Sequence, residues 1–245
     1  MPFLTLLVLI FLMAMLYASV GHGGASGYLA AMSLVGGYAL TAMSASALLL
    51  NLVVAGTAWM TFWRAGHGSW RLLWPFAASS VPAAVVGGWL PVSAQTYRWL
   101  LAGCLLVAAA RLCLPSAQDG ARAQAPALAV ALPVGGALGL ISGIVGVGGG
   151  IFLSPLMVLL RWADVKRTAA ISAAFIVVNS LAGLAGRLLA GRLQVGPLFP
   201  LVVTAFAGGL VGARFGARYC SGLWLRRLLA VVLVIASGKL LVAHG

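Results

Sequence analysis

Two clusters of glycine interrupt apolar stretches of this chain. Gly21, Gly23 and Gly24 lie in Val20-Gly21-His22-Gly23-Gly24, and Gly146, Gly148, Gly149 and Gly150 lie in Val145-Gly146-Val147-Gly148-Gly149-Gly150. A glycine inside a helix costs about 1 kcal/mol relative to alanine, so such runs are poor helix and good helix breaks. A break frees main-chain N–H groups, and N–H groups at the start of the next helix attract anions. Asn51 and Asn179 each fall midway along an apolar stretch, where an amide is costly unless partnered. Either amide could donate to a bound oxygen or brace the broken backbone, and spacing leaves both roles open. Ser44 and Ser172 precede them by two helical turns, on roughly the same face. A bond to its own helix carbonyl is the simplest role for each hydroxyl. His22 could titrate near neutral pH and carry protons, or cap a helix as a neutral ring. Its counterpart is Val147, so the position does not demand a proton carrier.

The elements that hold these residues are membrane helices. Of 245 residues 63% are hydrophobic and 7% charged, with mean hydropathy +1.11. Soluble domains carry roughly 25% charged residues. The chain is therefore expected to be an all-α polytopic membrane protein, with about 8–10 segments crossing or entering some 30 Å of hydrocarbon. The formal charge of +13 comes from fifteen Lys and Arg against Asp119 and Asp164. In a soluble protein that surplus would point to nucleic acid. Here the basic residues stand singly or in pairs at the ends of apolar segments, as topology signals do, so no nucleic-acid partner is expected. Cys104, Cys113 and Cys220 are odd in number and form no CxxC, so they read as packing residues.

Ten apolar segments can be drawn: 3–20, 24–37, 42–63, 71–90, 97–114, 127–145, 149–161, 168–189, 197–214 and 223–243. No basic n-region precedes the first, which reads as a membrane helix and not a cleaved signal. Ser116 to Pro126 is the polar linker between a first repeat, 1–115, and a second, 127–245. A shift of 125 positions lays Gly21 on Gly146, Gly23 on Gly148, Gly24 on Gly149, Pro75 on Pro200 and Gly87 on Gly212. A shift of 128 lays Ser44 on Ser172, Asn51 on Asn179 and Arg98 on Arg226. Segments 24–37 and 149–161 cover only about 20 Å as helix, so each cluster should form the tip of a hairpin within the membrane.

Charge decides how the halves are oriented. With an even number of crossings per half, the basic residues divide seven against eight, which orients nothing. With an odd number, Arg98, Arg187, Arg192 and Lys239 face one side and the other eleven face the opposite side. That bias fits the positive-inside rule. Two inverted repeats follow, each with a glycine-rich broken-helix hairpin, with both termini outside the cytoplasm and the hairpins meeting near the midplane. Arg187, near a helix end, could face a vestibule, though snorkelling to the interface is the simpler expectation. Gly135, Gly139 and Gly143, like Gly208, Gly212 and Gly216, are spaced by four, the pattern of close helix packing.

The stretch Gly139-Leu140-Ile141-Ser142-Gly143-Ile144-Val145-Gly146-Val147-Gly148-Gly149-Gly150-Ile151-Phe152-Leu153-Ser154-Pro155-Leu156 resembles the signature of the sulfite exporter TauE/SafE family, also called the toluene sulfonate uptake permease family. The first copy is degenerate, with Ala25 for the last glycine and Ala30 for the proline. The resemblance implies a bacterial inner-membrane permease for small sulfur-containing anions such as sulfite or organosulfonates, without enzymatic activity or cofactor. A proton or another ion could couple the movement. The residues agree on charge sign, because no Asp or Glu lies in any apolar segment. The candidate substrate site is then Gly21, His22, Gly23, Gly24, Asn51, Gly146, Gly148, Gly149, Gly150, Ser172 and Asn179.

Two other readings remain. An anion channel would use the same residues, although broken helices in inverted repeats favour alternating access. Gly24-Ala25-Ser26-Gly27 matches the GxSG of rhomboid-type intramembrane proteases, but neither His22 nor His67 is well placed to serve Ser26. The glycine clusters lack the Lys-Ser/Thr of a P-loop, and no metal-ligand spacing appears.

Overall fold

The computed structural model describes residues 2–35, 37, 39–113, 124–194, 198–219, 234 and 237–238. These residues are helices and short connections, with no strand among them. The helices are α1 (Pro2–Ser19), α2 (Ala25–Val35), α3 (Leu40–Phe62), α4 (Trp70–Trp89), α5 (Ala94–Cys113), α6 (Leu128–Val145), α7 (Gly150–Leu159), α8 (Val165–Leu189) and α9 (Leu198–Tyr219). A π-helical turn, Trp63–His67, follows α3 and contains Gly66 at φ +83°. The expected tenth segment and most of the linker lie outside the described residues, together with Asp119, Cys220 and Lys239. Helical Ser237 nevertheless donates to the Ala102 carbonyl of α5 at 3.1 Å.

Five of these helices are long and apolar enough to cross a membrane. The distribution of residue types is that of a protein solvated by lipid. Phe199 is 80% exposed and Leu4 66%, while Asn51, Ser80, Ser142 and Asn179 are wholly buried. Lipid tails are as apolar as leucine, so helices associate through close backbone contact and internal polar bonds. The glycine rows supply that contact. Gly135, Gly139 and Gly143 lie on Phe76, Ser80 and Ala84 of α4, and a Cβ built on Gly143 would stand 2.9 Å from Ala84 Cα. Gly208, Gly212 and Gly216 lie likewise on Phe11, Met15 and Ser19 of α1.

Both short helices fold back as hairpin legs. Gly27 of α2 packs on Met13 and Tyr17 of α1, and Ser26 Oγ donates to Tyr17 Oη at 2.8 Å. The foot of the second hairpin is closed by the Gln124 N–H on Arg161 O at 3.0 Å, and Leu153 and Met157 of α7 share a cluster with Ala131 of α6. Each second leg runs into a crossing helix, α2 into α3 and α7 into α8. Those two helices are antiparallel. Thr41 and Ser44, early in α3, bond Gln194 and Arg187 at or beyond the end of α8, whereas Trp59 and Trp63 pack by Ala163 and Ile171. The feet of the two hairpins therefore lie at opposite ends of the bundle. Asp164 caps α8 by accepting the Arg167 N–H at 2.8 Å.

Candidate functional site

Both glycine clusters break their helices. Gly21, at φ +76°, ends α1 with two bonds: its N–H reaches Ala18 O at 3.1 Å, and the His22 N–H reaches Tyr17 O at 2.9 Å. That is a Schellman cap, and the left-handed φ it requires favours glycine. Gly146, at φ +84°, ends α6 with a single bond from its N–H to Ser142 O at 2.8 Å. Further positive φ at Gly24, Gly148 and Gly149 turns the chain into α2 and α7. Among the described residues, the N–H groups of Gly23, Gly24, Gly148 and Gly149 donate to no protein acceptor.

The two bends meet. A Cβ built on Gly23 would lie 2.8 Å from Asn51 Cγ and 3.1 Å from Ile176 Cγ2. One built on Gly148 would lie 2.7 Å from Asn51 Nδ2 and 2.9 Å from the same Ile176 methyl. Asn51 ties them together: its Oδ1 accepts the Ala25 N–H at 3.0 Å and its Nδ2 donates to Val147 O at 3.1 Å. His22 adds a second tie. Its Nδ1 faces Val20 O at 2.9 Å and its Nε2 faces Ser154 Oγ, on α7, at 2.8 Å. A carbonyl only accepts, so Nδ1 carries the hydrogen, and in the neutral ring Nε2 accepts from Ser154.

Asn179 behaves differently. Its Nδ2 donates to Phe175 O at 2.8 Å and to Ser80 Oγ at 3.1 Å, while its buried Oδ1 has no partner. The hydroxyls of Ser142, Ser172 and Ser180 are also buried without a partner. These residues surround the second bend. Ser180 Oγ would stand 3.1 Å from a Cβ on Gly148, Ser142 Cβ 3.4 Å from one on Gly149, and Ser172 O 2.8 Å from one on Gly150. Buried polar atoms are almost always satisfied, so such a group marks a place that water or a ligand completes. Ser142 and Ser180 were absent from the candidates read from sequence. The available signal was Ser142 inside the glycine-rich stretch and Ser180 directly after Asn179.

Three expectations need correction. Ser44 does not bond its own helix: it donates to Val145 O at 3.2 Å across the molecule and accepts from Arg187. Ser172 bonds no carbonyl at all. Arg187 does not snorkel. It is 7% exposed and turns inward to Gly183 O at 3.1 Å, Ile144 O at 3.0 Å and Ser44 Oγ. Ser44 and Arg187 found partners on other helices, Val145 and Ile144 of α6 and each other, whereas Ser172 found none. The Ser26 hydroxyl is committed to Tyr17 and His22 faces Ser154, so His22 and Ser26 do not pair.

An apolar exterior around paired broken hairpins defines a polytopic membrane protein. The chain belongs to the sulfite exporter TauE/SafE family, whose model matches residues 6–240. It is 36% identical over 240 residues to the probable membrane transporter protein y4hK of Sinorhizobium fredii (strain NBRC 101917 / NGR234), covering 96% of this chain and 97% of that one. No solved structure matches it. The protein is thus a membrane transporter and not an enzyme.

Proposed function

We propose that this transporter is a secondary carrier of small sulfur-containing anions, sulfite or organosulfonates, in the bacterial inner membrane. The substrate site lies near the midplane, where the two inverted repeats present their glycine bends. One observation carries the reading: the free N–H groups of Gly148 and Gly149 stand among the unpartnered hydroxyls of Ser142, Ser172 and Ser180. Backbone and hydroxyl donors at a helix start suit a sulfonate or sulfite oxygen. The charge balance agrees, since among the described residues the one acidic side chain, Asp164, caps the start of α8. Both N–H groups of Asn179 are already spent, so its Oδ1 would serve a bound water or a ligand O–H. Gly21, Gly23, Gly24, Gly146 and Gly150 shape the bends, Asn51 and His22 hold them together, and both bends are buried on this reading of a closed carrier.

Proteoliposome flux tests this. Uptake of labelled sulfite should saturate and show counterflow, and Ser142→Ala with Ser180→Ala should raise KM. Conductive flux without saturation would make the protein an anion channel. Unchanged KM in the double variant would remove the second bend from the site.

A further inference from the structure

We propose that the cavity walled by Arg187 and Arg192 is a second anion site, apart from the bends, which takes a small oxyanion at the end of the bundle where α8 finishes. The cavity measures about 170 Å³, and its polar lining is Arg187, Arg192, Ser44, Thr41 and Tyr97. No carboxylate lines it. Asp164, the one acidic residue among the described residues, caps the start of α8 at the opposite end. Arg187 is almost fully buried, yet its partners are neutral: Gly183 O, Ile144 O and Ser44 Oγ. A desolvated cation without a countercharge costs several kcal/mol, and an anion in the adjoining cavity offsets that cost.

The donors for such an anion are present. A guanidinium has five N–H groups, and three of those on Arg187 are used, which leaves two. Arg192 is pinned at the rim by Trp89 O at 2.7 Å and Leu90 O at 3.5 Å, with its remaining N–H groups to spare. The hydroxyls do not serve the ligand. Ser44 and Tyr97 both donate to Val145 O, at 3.2 and 3.0 Å, and thereby fix the wall that Arg187 leans on. Val145 is the last residue of α6 and adjoins Gly146, so the cavity abuts the second bend. Arg187 and Arg192 are also two of the four basic residues that the charge pattern of the sequence assigns to the sparsely charged face. Insertion signals disfavour cations there, and an anion site gives them a reason to stay.

The site is tested on the purified wild-type chain by arginine modification with phenylglyoxal, read by peptide mass spectrometry. Sodium sulfate, an oxyanion that does not add to the reagent's aldehyde, is the probe, with chloride holding ionic strength constant. At about ten times its Kd, sulfate should slow modification of Arg192 roughly tenfold. Arg64 and Arg161, exposed at the opposite end, should react as before. Arg187→Gln should abolish protection at Arg192. Protection in lipid-free detergent assigns the cavity to a free oxyanion, and protection only after adding phosphatidylglycerol assigns the same cradle to a lipid phosphate. Equal modification of Arg192 under every condition would overturn the proposal. Protection that persists while Ser142→Ala and Ser180→Ala leave sulfite KM unchanged would sink the reading of the bends and keep this one.

Discussion

The two bends share a glycine pattern and differ in what surrounds it. Around the first, most polar side chains are spent on structure: Asn51 accepts the Ala25 N–H, His22 faces Ser154, and Ser26 donates to Tyr17, while Tyr28 Oη beside Gly24 is left without a partner. Around the second, Asn179, Ser142, Ser172 and Ser180 keep atoms without partners. A duplicated motif has thus been given unequal surroundings. On the proposed reading the first bend is a strut that holds the second in place, and the second keeps its hydrogen-bonding capacity for a ligand. Asn51 and Asn179 hold matching positions and show this most clearly, since one bridges both bends and the other leaves its oxygen empty.

The contrast can be broken most forcefully at Gly148. A leucine there meets a left-handed φ of +78° and places its Cβ 2.7 Å from Asn51 Nδ2. Strain and overpacking together cost roughly 2–5 kcal/mol. Gly148→Leu should therefore lose both uptake and thermal stability in detergent, whereas Gly103→Leu, which meets open space, should melt like the wild type. An equal melting temperature for the two would show that the bends do not pack as described.

Next in size is the asparagine pair. Asn51→Ala leaves the Ala25 N–H and Val147 O buried and unpaired, about 1–3 kcal/mol for each. It should lower the unfolding midpoint more than Asn179→Ala does, while Asn179→Ala should raise sulfite KM more than Ser172→Ala. The reverse order in either measurement would exchange the roles of strut and site.

Ser180→Ala sharpens the comparison. A hydrogen bond to a charged ligand is worth about 1.5–3 kcal/mol, so KM should rise about tenfold or more. Ser26→Ala, whose hydroxyl is already committed, should leave KM unchanged.

The smallest effect is expected at His22. Its bonds hold the first bend to α7, and a glutamine can replace part of that geometry. His22→Gln should keep uptake within about threefold, since a single neutral hydrogen bond contributes only about 0.5–1.5 kcal/mol. Its pH profile should match the wild type. A profile that flattens in the variant would make His22 the proton carrier.

Membrane class, the described helices and the two breaks were legible in the chain, because each depends on local composition. A run of glycines breaks a helix wherever it stands, and apolar segments of sufficient length need no partner to be recognised. The first nine expected segments fall close to the observed helices, with α2 and α7 as short as predicted. The glycine rows at spacing four likewise found their neighbours on α4 and α1.

The roles of the polar residues depended on distant contacts. Asn51 reaches the second half at Val147, Ser44 reaches Val145, and Arg187 returns to Ser44 and Ile144. Nothing within a few residues of Arg187 distinguishes a snorkelling side chain from one that walls a cavity. Sequence by itself determined that the backbone breaks twice and that few charges stay in the membrane, since both follow from residue type along a single segment. Only the tertiary structure decided which buried amide is satisfied and which is left open, because a hydrogen bond between halves depends on how their helices cross.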